Sequence, residues 1–433
     1  MLSSRNWILL SVLTLSIGCK TSSSQLKDIE LTQAQRDERV RSARVFQGIE
    51  KPSELSEEAI KNGPFPQGAT EGINYFKSAA KVRCEFSQLN FEKPPSGQSP
   101  KFLCDLLNAE GKVVAKKLKI KYDSHNPEIY NEVAASRLLW LLGFPADYYY
   151  SVQLSCLGCP DKEDPWTLIK RYKTLAPAEQ LQIKQQLQIL KDQKAESVFS
   201  IAMIEKKFGE EIVIEKTDQS GWSFADDLVV PTEQLLFPEA DKPQQRAQRE
   251  ALTILAAMLS HVDNQPGNQR LYCRRAAADG SCPTEESFLV IQDLGATMGG
   301  FRLNWELRGD IADKAQLKLA MDIWEDDHTT AVFTGAKTCE VSVASLSDAQ
   351  TLGPRKKVKV SEAGRRFLIS RFVALGGGEG ETLTPPAREK IRQQLHSVFL
   401  AGRNGELYKN VDWWVKIVMK KLELVTNYKG CQG

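Results

Sequence analysis

The sequence predicts an α+β protein of two lobes, a small antiparallel sheet followed by a mainly helical half. Three observations predict it. Between residues 80 and 122 short runs with strand alternation are separated by the turn-forming segments PPSGQSP and NAEG. Beyond Pro231 apolar residues recur instead at helical spacing. A polar cluster, His261 to Asn268 and then Asp293 to Gly295, follows directly on one of those helices. A length of 433 residues leaves room for one large two-lobed unit or for two or three compact ones.

Residues 1–19 read as a lipoprotein-type export signal. Arg5 is the positive start, Trp7 to Leu15 a short apolar run, and Ser16-Ile17-Gly18-Cys19 the cleavage site. Cys19 would then carry the lipid that holds a bacterial protein to a membrane, facing the periplasm or the cell surface. Simple cleavage and release is the alternative, since Ser16 stands where that motif usually has Leu. Residues 20–75 are polar and are expected to form a tether and an N-terminal helix over Leu31 to Arg44.

Residues 76–220 are expected to form the sheet lobe. Lys81 to Phe86, Lys101 to Leu107 and Val113 to Tyr122 read as a meander, and alternation in the third run puts Lys119 and Lys121 on one face. Pro127 to Gly143 reads as a helix that Gly143 stops, because Val133, Leu138, Leu141 and Leu142 recur at its period. Tyr148 to Cys156 returns to strand, Pro177 to Lys194 is an inserted helix, and Phe199 to Glu215 supplies one or two more strands. Residues 221–433 form the helical lobe. Gln245 to Leu259 is an amphipathic helix, Gln269 to Tyr272 and Phe288 to Ile291 a hairpin, and three helices lie around Glu362 to Ala374, Pro386 to Leu400 and Asp412 to Val425.

With 57 basic against 55 acidic residues, nothing favours a polyanionic partner, and no nucleic acid is expected. Setting Cys19 aside, eight cysteines remain on a chain addressed to an oxidising compartment. Spacing suggests Cys84 with Cys104, Cys156 with Cys159, Cys273 with Cys282, and Cys339 with Cys431, although it does not fix connectivity. Zinc at Cys156 and Cys159 is the rival reading, but no second pair or clustered histidines complete four ligands.

His261, Asp263 and Asn268 have the H-x-D-x4-N spacing of a kinase catalytic loop. There the Asp orients an attacking hydroxyl and the Asn amide oxygen holds a metal ion. Pro266-Gly267 suits the bend that turns Asn268 back toward Asp263. Asp293-Leu294-Gly295 matches the D-F-G element apart from Leu for Phe, its Asp being a metal ligand near the phosphates. Such a site also needs a strand lysine and a helix glutamate upstream, and Lys121, with Lys119 as alternate, and Glu132 occur in that order. A solvated strand face is the plain reading of either lysine alone. Around Gly97, the N–H groups of Ser96, Gly97 and Ser99 are candidate phosphate donors, with an ordinary hairpin turn as the alternative.

The ordered segments KIKY, EVAASRLLWLLGFPADYYY, HVDNQPGN and QDLG resemble atypical protein kinases related to the secretory-pathway (Golgi casein kinase type) and HipA-like kinases, over about residues 80–300. The likeness is greatest to exported bacterial members. It implies a bilobal protein kinase-like fold, ATP and Mg²⁺ or Mn²⁺ as cofactors, and a hydroxyl-bearing acceptor, usually protein Ser or Thr, or a glycan. It further implies Asp263 as catalytic base, Asn268 and Asp293 as metal ligands, Lys121 on the ATP phosphates, and Glu132 orienting that lysine or a metal. His261 is expected to brace the backbone near the D-L-G turn. A non-catalytic binding module and an AMP transferase are the other readings.

Overall fold

The computed structural model describes residues 31–66, 69–97, 99–123, 126–212, 221–264, 266–299, 332–335, 337–343, 356–407 and 409–431, with Asp322 and Trp324–Asp326. Cys19, the export signal and Gln265 lie outside the described residues. Among the described residues no helix is long and apolar enough to cross a membrane.

Five strands make the first body: β1 (Ala80–Phe86), β2 (Lys101–Leu107), β3 (Val113–Tyr122), β4 (Tyr148–Leu157) and β5 (Glu196–Lys206). Their inward residues alternate, as Val82, Cys84 and Phe86 do on β1, and fill a core with Phe102, Ile120, Val152 and Ile204. The expected antiparallel meander needs one correction. The strand order is β1-β2-β3-β5-β4, and β1 pairs parallel with β4, Ala80 opposite Val152 through Glu85 opposite Leu157, so the sheet closes into a barrel.

Around and after the barrel run α1 (Gln33–Ser42), α2 (Glu57–Asn62), α3 (Leu89–Glu92), α4 (Pro127–Leu142), α5 (Pro165–Tyr172), α6 (Pro177–Asp192) and α7 (Lys242–Met258). Of these, α5 and α6 are the insertion between β4 and β5, and α5 lies against β2. Helix α4 is capped by Asn126 and ended by Gly143, as its sequence predicts. It is buried on nearly every side rather than along one stripe, because it lies between β4, β5 and the C-terminal helices. Its apolar residues belong to a second core, shared with α7 and the helices Glu362–Leu375, Pro385–Ala401 and Val411–Asn427. Short β6 (Glu210–Glu211) joins the hairpin of β7 (Gln269–Cys273) and β8 (Ser287–Ile291), while β9 (Glu340–Val343) pairs with β10 (Lys356–Lys359).

The helix expected over Leu31 to Arg44 is α1, but the described part of residues 20–75 is no loose tether. Val40, Ala43, Val45 and Ile60 are buried in the helical core. Arg36 forms an ion pair with Asp227 at 2.7 Å, and the buried Arg249 guanidinium donates to the carbonyls of Val40 and Ala43, each at 2.7 Å. A guanidinium that satisfies two otherwise orphaned carbonyls makes this segment part of the fold. The four cysteine pairs suggested by spacing are the pairs found, with Cα–Cα separations of 5.7, 5.6, 5.7 and 4.6 Å, which suit disulfides.

Candidate functional site

On the outer face of the barrel, where it meets the helical core, β3 presents Lys121 opposite Met203 of β5 and Lys101 of β2. Alternation requires this, since the intervening Leu118 and Ile120 fill the barrel. Lys121 is wholly buried. Its Nζ lies 2.5 Å from Glu132 Oε1, 2.9 Å from Glu128 Oε2 and 3.7 Å from Asp293 Oδ1. Lys119, the alternate, turns instead to Glu205 at 2.6 Å, so it is Lys121 that meets the helix glutamate.

Helix α4 begins at Pro127, so Glu132 sits one turn inside it, and Glu128 four residues earlier shares its face. Glu128 went unnoticed in the sequence, although E-x-x-x-E at a helix start is the signal that marks it. Gly295 explains why Glu128 can lie there. A Cβ on that residue would stand 2.7 Å from Glu128 Cγ and 2.8 Å from its Cβ, so any larger residue in the D-L-G turn would displace the glutamate.

One carboxylate oxygen from each of Glu128, Glu132 and Asp293 lies within 4.8 Å of the other two. Burial alone would depress the Lys121 ammonium, but Asp293, Glu128 and Glu132 outweigh it and hold it well above the usual lysine range. Burial and the Asp293 charge push the Glu132 carboxyl well up, whereas Lys121, against the effect of burial, holds Asp293 far below the ordinary range. Oxygen ligands suit a hard divalent cation, and Asp293 is the most exposed of the three, whereas Glu128 and Glu132 are taken up by Lys121.

The H-x-D-x4-N loop follows α7. Asn268 Nδ2 donates to the Asp263 carbonyl at 3.4 Å, and the Gln292 N–H donates to the Asn268 carbonyl at 3.1 Å, which ties the loop to the residue before Asp293. Val262 N–H donates to the Ala296 carbonyl at 3.1 Å, so loop and D-L-G turn are held at both ends. Tyr149 of β4 donates its hydroxyl to the Gln292 carbonyl, and Asn131 of α4 donates to the Thr297 carbonyl at 2.8 Å. Burial pushes the Asp263 carboxyl up to about 7, helped by the charges of Asp293 and Glu128, so all three acids act in one field.

His261 differs from expectation. It is buried, and its Nε2 lies 3.5 Å from the Gln269 amide nitrogen on β7 while Val262 makes the backbone link. Burial lowers its pKa to about 4. The folded state therefore refuses a proton that the unfolded chain accepts below about pH 6.5. Stability should fall as pH drops from about 6.5 and level off near 4, a loss on the order of 3 kcal/mol. Urea unfolding across that range should show the slope reduced in His261→Gln. An unchanged slope would refute the assignment.

Gly97 is an exposed turn in a left-handed conformation at φ 93°, set above Lys101 rather than Lys121. No family model matches the chain, and no curated protein matches it. Among solved structures it is similar to that of the Helicobacter pylori proinflammatory kinase CtkA, at 10% identity and a TM-score of 0.35, over 80% of this chain and 92% of that one. So loose a likeness adds nothing to the geometry above.

Proposed function

We propose that this chain is an exported, kinase-like phosphotransferase that moves the γ-phosphoryl of ATP to a hydroxyl acceptor with Mg²⁺ or Mn²⁺. The observation that carries the reading is the buried Lys121 ammonium, held by Glu132 at 2.5 Å with Asp293 at 3.7 Å. The order of parts supports it too: three strands, the glutamate helix, two more strands, α7, the Asp263 loop, a hairpin and the D-L-G turn. That is the order in which a bilobal kinase presents its strand lysine, helix glutamate, catalytic loop and metal-binding aspartate.

In this reading Lys121 donates to phosphate oxygens while Glu132 and Glu128 fix its position. Asp263 accepts a hydrogen bond from the acceptor hydroxyl and takes its proton. The acceptor O–P bond forms as the bond from the γ-phosphorus to the β,γ-bridging oxygen breaks, and ADP leaves with that oxygen. Asp293 and Asn268 are the residues that would hold a cation, whose chemistry there is neutralisation of charge on the phosphoryl oxygens. Protein Ser or Thr is the acceptor class carried by the sequence resemblance. Four cysteine pairs at disulfide geometry support an oxidising compartment.

Calorimetric titration with ATP in the presence of Mg²⁺ or Mn²⁺ is expected to show metal-dependent binding. Incubation with γ-labelled and α-labelled ATP is expected to label an acceptor from the γ position alone. Label from the α position would replace phosphoryl transfer by AMP transfer, and absence of metal-dependent binding would leave only a binding module.

A further inference from the structure

Lys101 opens β2 directly opposite Lys121 of β3, so the two amines share one face of adjacent strands. Like charges opposite one another repel, and a buried ammonium without a carboxylate is costly. Lys121 is compensated by three acids, whereas Lys101, only 4% exposed, has no carboxylate paired with it among the described residues. Its Nζ faces the ring of Trp166 on α5 at 5.9 Å. It also lies beneath the Gly97 turn, where a Cβ would come within 2.7 Å of it. Lys170 of α5 closes the same corner, over Trp166 at 4.8 Å and donating to the Gly97 carbonyl at 3.3 Å. A buried amine in no direct ion pair, kept beside the site under a turn that favours glycine, is what an anion subsite requires before its anion arrives.

We propose that Lys101 binds a non-transferred phosphate of the nucleotide, acting as a second phosphate-binding amine beside Lys121 under the Gly97 turn. The assignment rests on the nucleotide reading above. Burial and the nearby Lys121 charge lower the Lys101 pKa to about 8, and the more distant Glu128 and Asp293 offset this only in part.

The test is calorimetric titration of full-length wild type, Lys101→Met and Lys101→Arg with Mg·ATP, inorganic tripolyphosphate and adenosine, together with Tm. Lys101→Met should weaken Mg·ATP and tripolyphosphate about ten- to hundredfold and leave adenosine unchanged. Its Tm should be equal to or above that of wild type, because a buried charge in no direct ion pair is removed. Lys101→Arg should restore part of the affinity. Undiminished affinity in Lys101→Met, while wild type binds Mg·ATP, overturns the Lys101 assignment alone. Weaker binding with a lowered Tm also overturns it, by making Lys101 structural. Lys101-dependent binding of tripolyphosphate with no preference for Mg·ATP supports the anion subsite and removes the nucleotide reading. A wild type that binds neither polyphosphate overturns both.

Discussion

Lys121→Met is expected to lower stability by about 3–5 kcal/mol and to abolish metal-dependent ATP binding, the largest combined effect of any single change here. Lys121 is fully buried against Glu132, which is 1% exposed, so removal strands a carboxyl that water does not reach. Burial would then drive more than one of the three carboxyls to take up a proton. Thermal and urea unfolding measure the first effect, and titration with Mg·ATP the second. Lys121→Met combined with Glu132→Leu should recover much of the stability, since the uncompensated acid goes with its partner, yet should not recover binding. Binding restored in the double variant would sink the role given to Lys121.

Asp263→Asn is expected to reduce phosphoryl transfer by about 10²–10⁴-fold with Mg·ATP affinity retained. Its effect on stability should run the other way. The folded-state pKa of about 7 lies above the unfolded value, so ionisation of Asp263 opposes folding progressively as pH rises toward 7. Asn carries no charge, and the variant should match or exceed the wild-type Tm at pH 8. Single-turnover kinetics beside Tm across pH decide the matter. A variant that loses Tm and transfer in step would make Asp263 a structural residue.

The chemistry-bearing motifs were legible because they are local. His261 to Asn268 and Asp293 to Gly295 each fit within a few residues, and their helix and hairpin settings follow from periodicity. What escaped was set by partners distant in sequence. Alternation marks which face of β1 is buried but not whether its neighbour runs parallel, so closure through β4 was invisible. Glu128 and Lys101 drew no notice in the sequence, because the turns that come to rest on them, at Gly295 and Gly97, are brought there only by the fold. The helix after residue 30 was legible but its docking was not, because its carbonyls find their donor, Arg249, some 200 positions later, 209 in the case of Val40.

Closure of the five strands has a consequence for recognition. A β-sheet with a bare rim can capture an extended peptide by backbone pairing, whereas a closed barrel has no unpaired strand to offer. On the hairpin sheet, β8 has Arg44 bridging beside Phe288 and Ala146 beside Ile291. On the proposed function, an acceptor peptide approaching this barrel would have to be chosen by side chains and loops, and misassembled copies lack there the edge along which they could zip together.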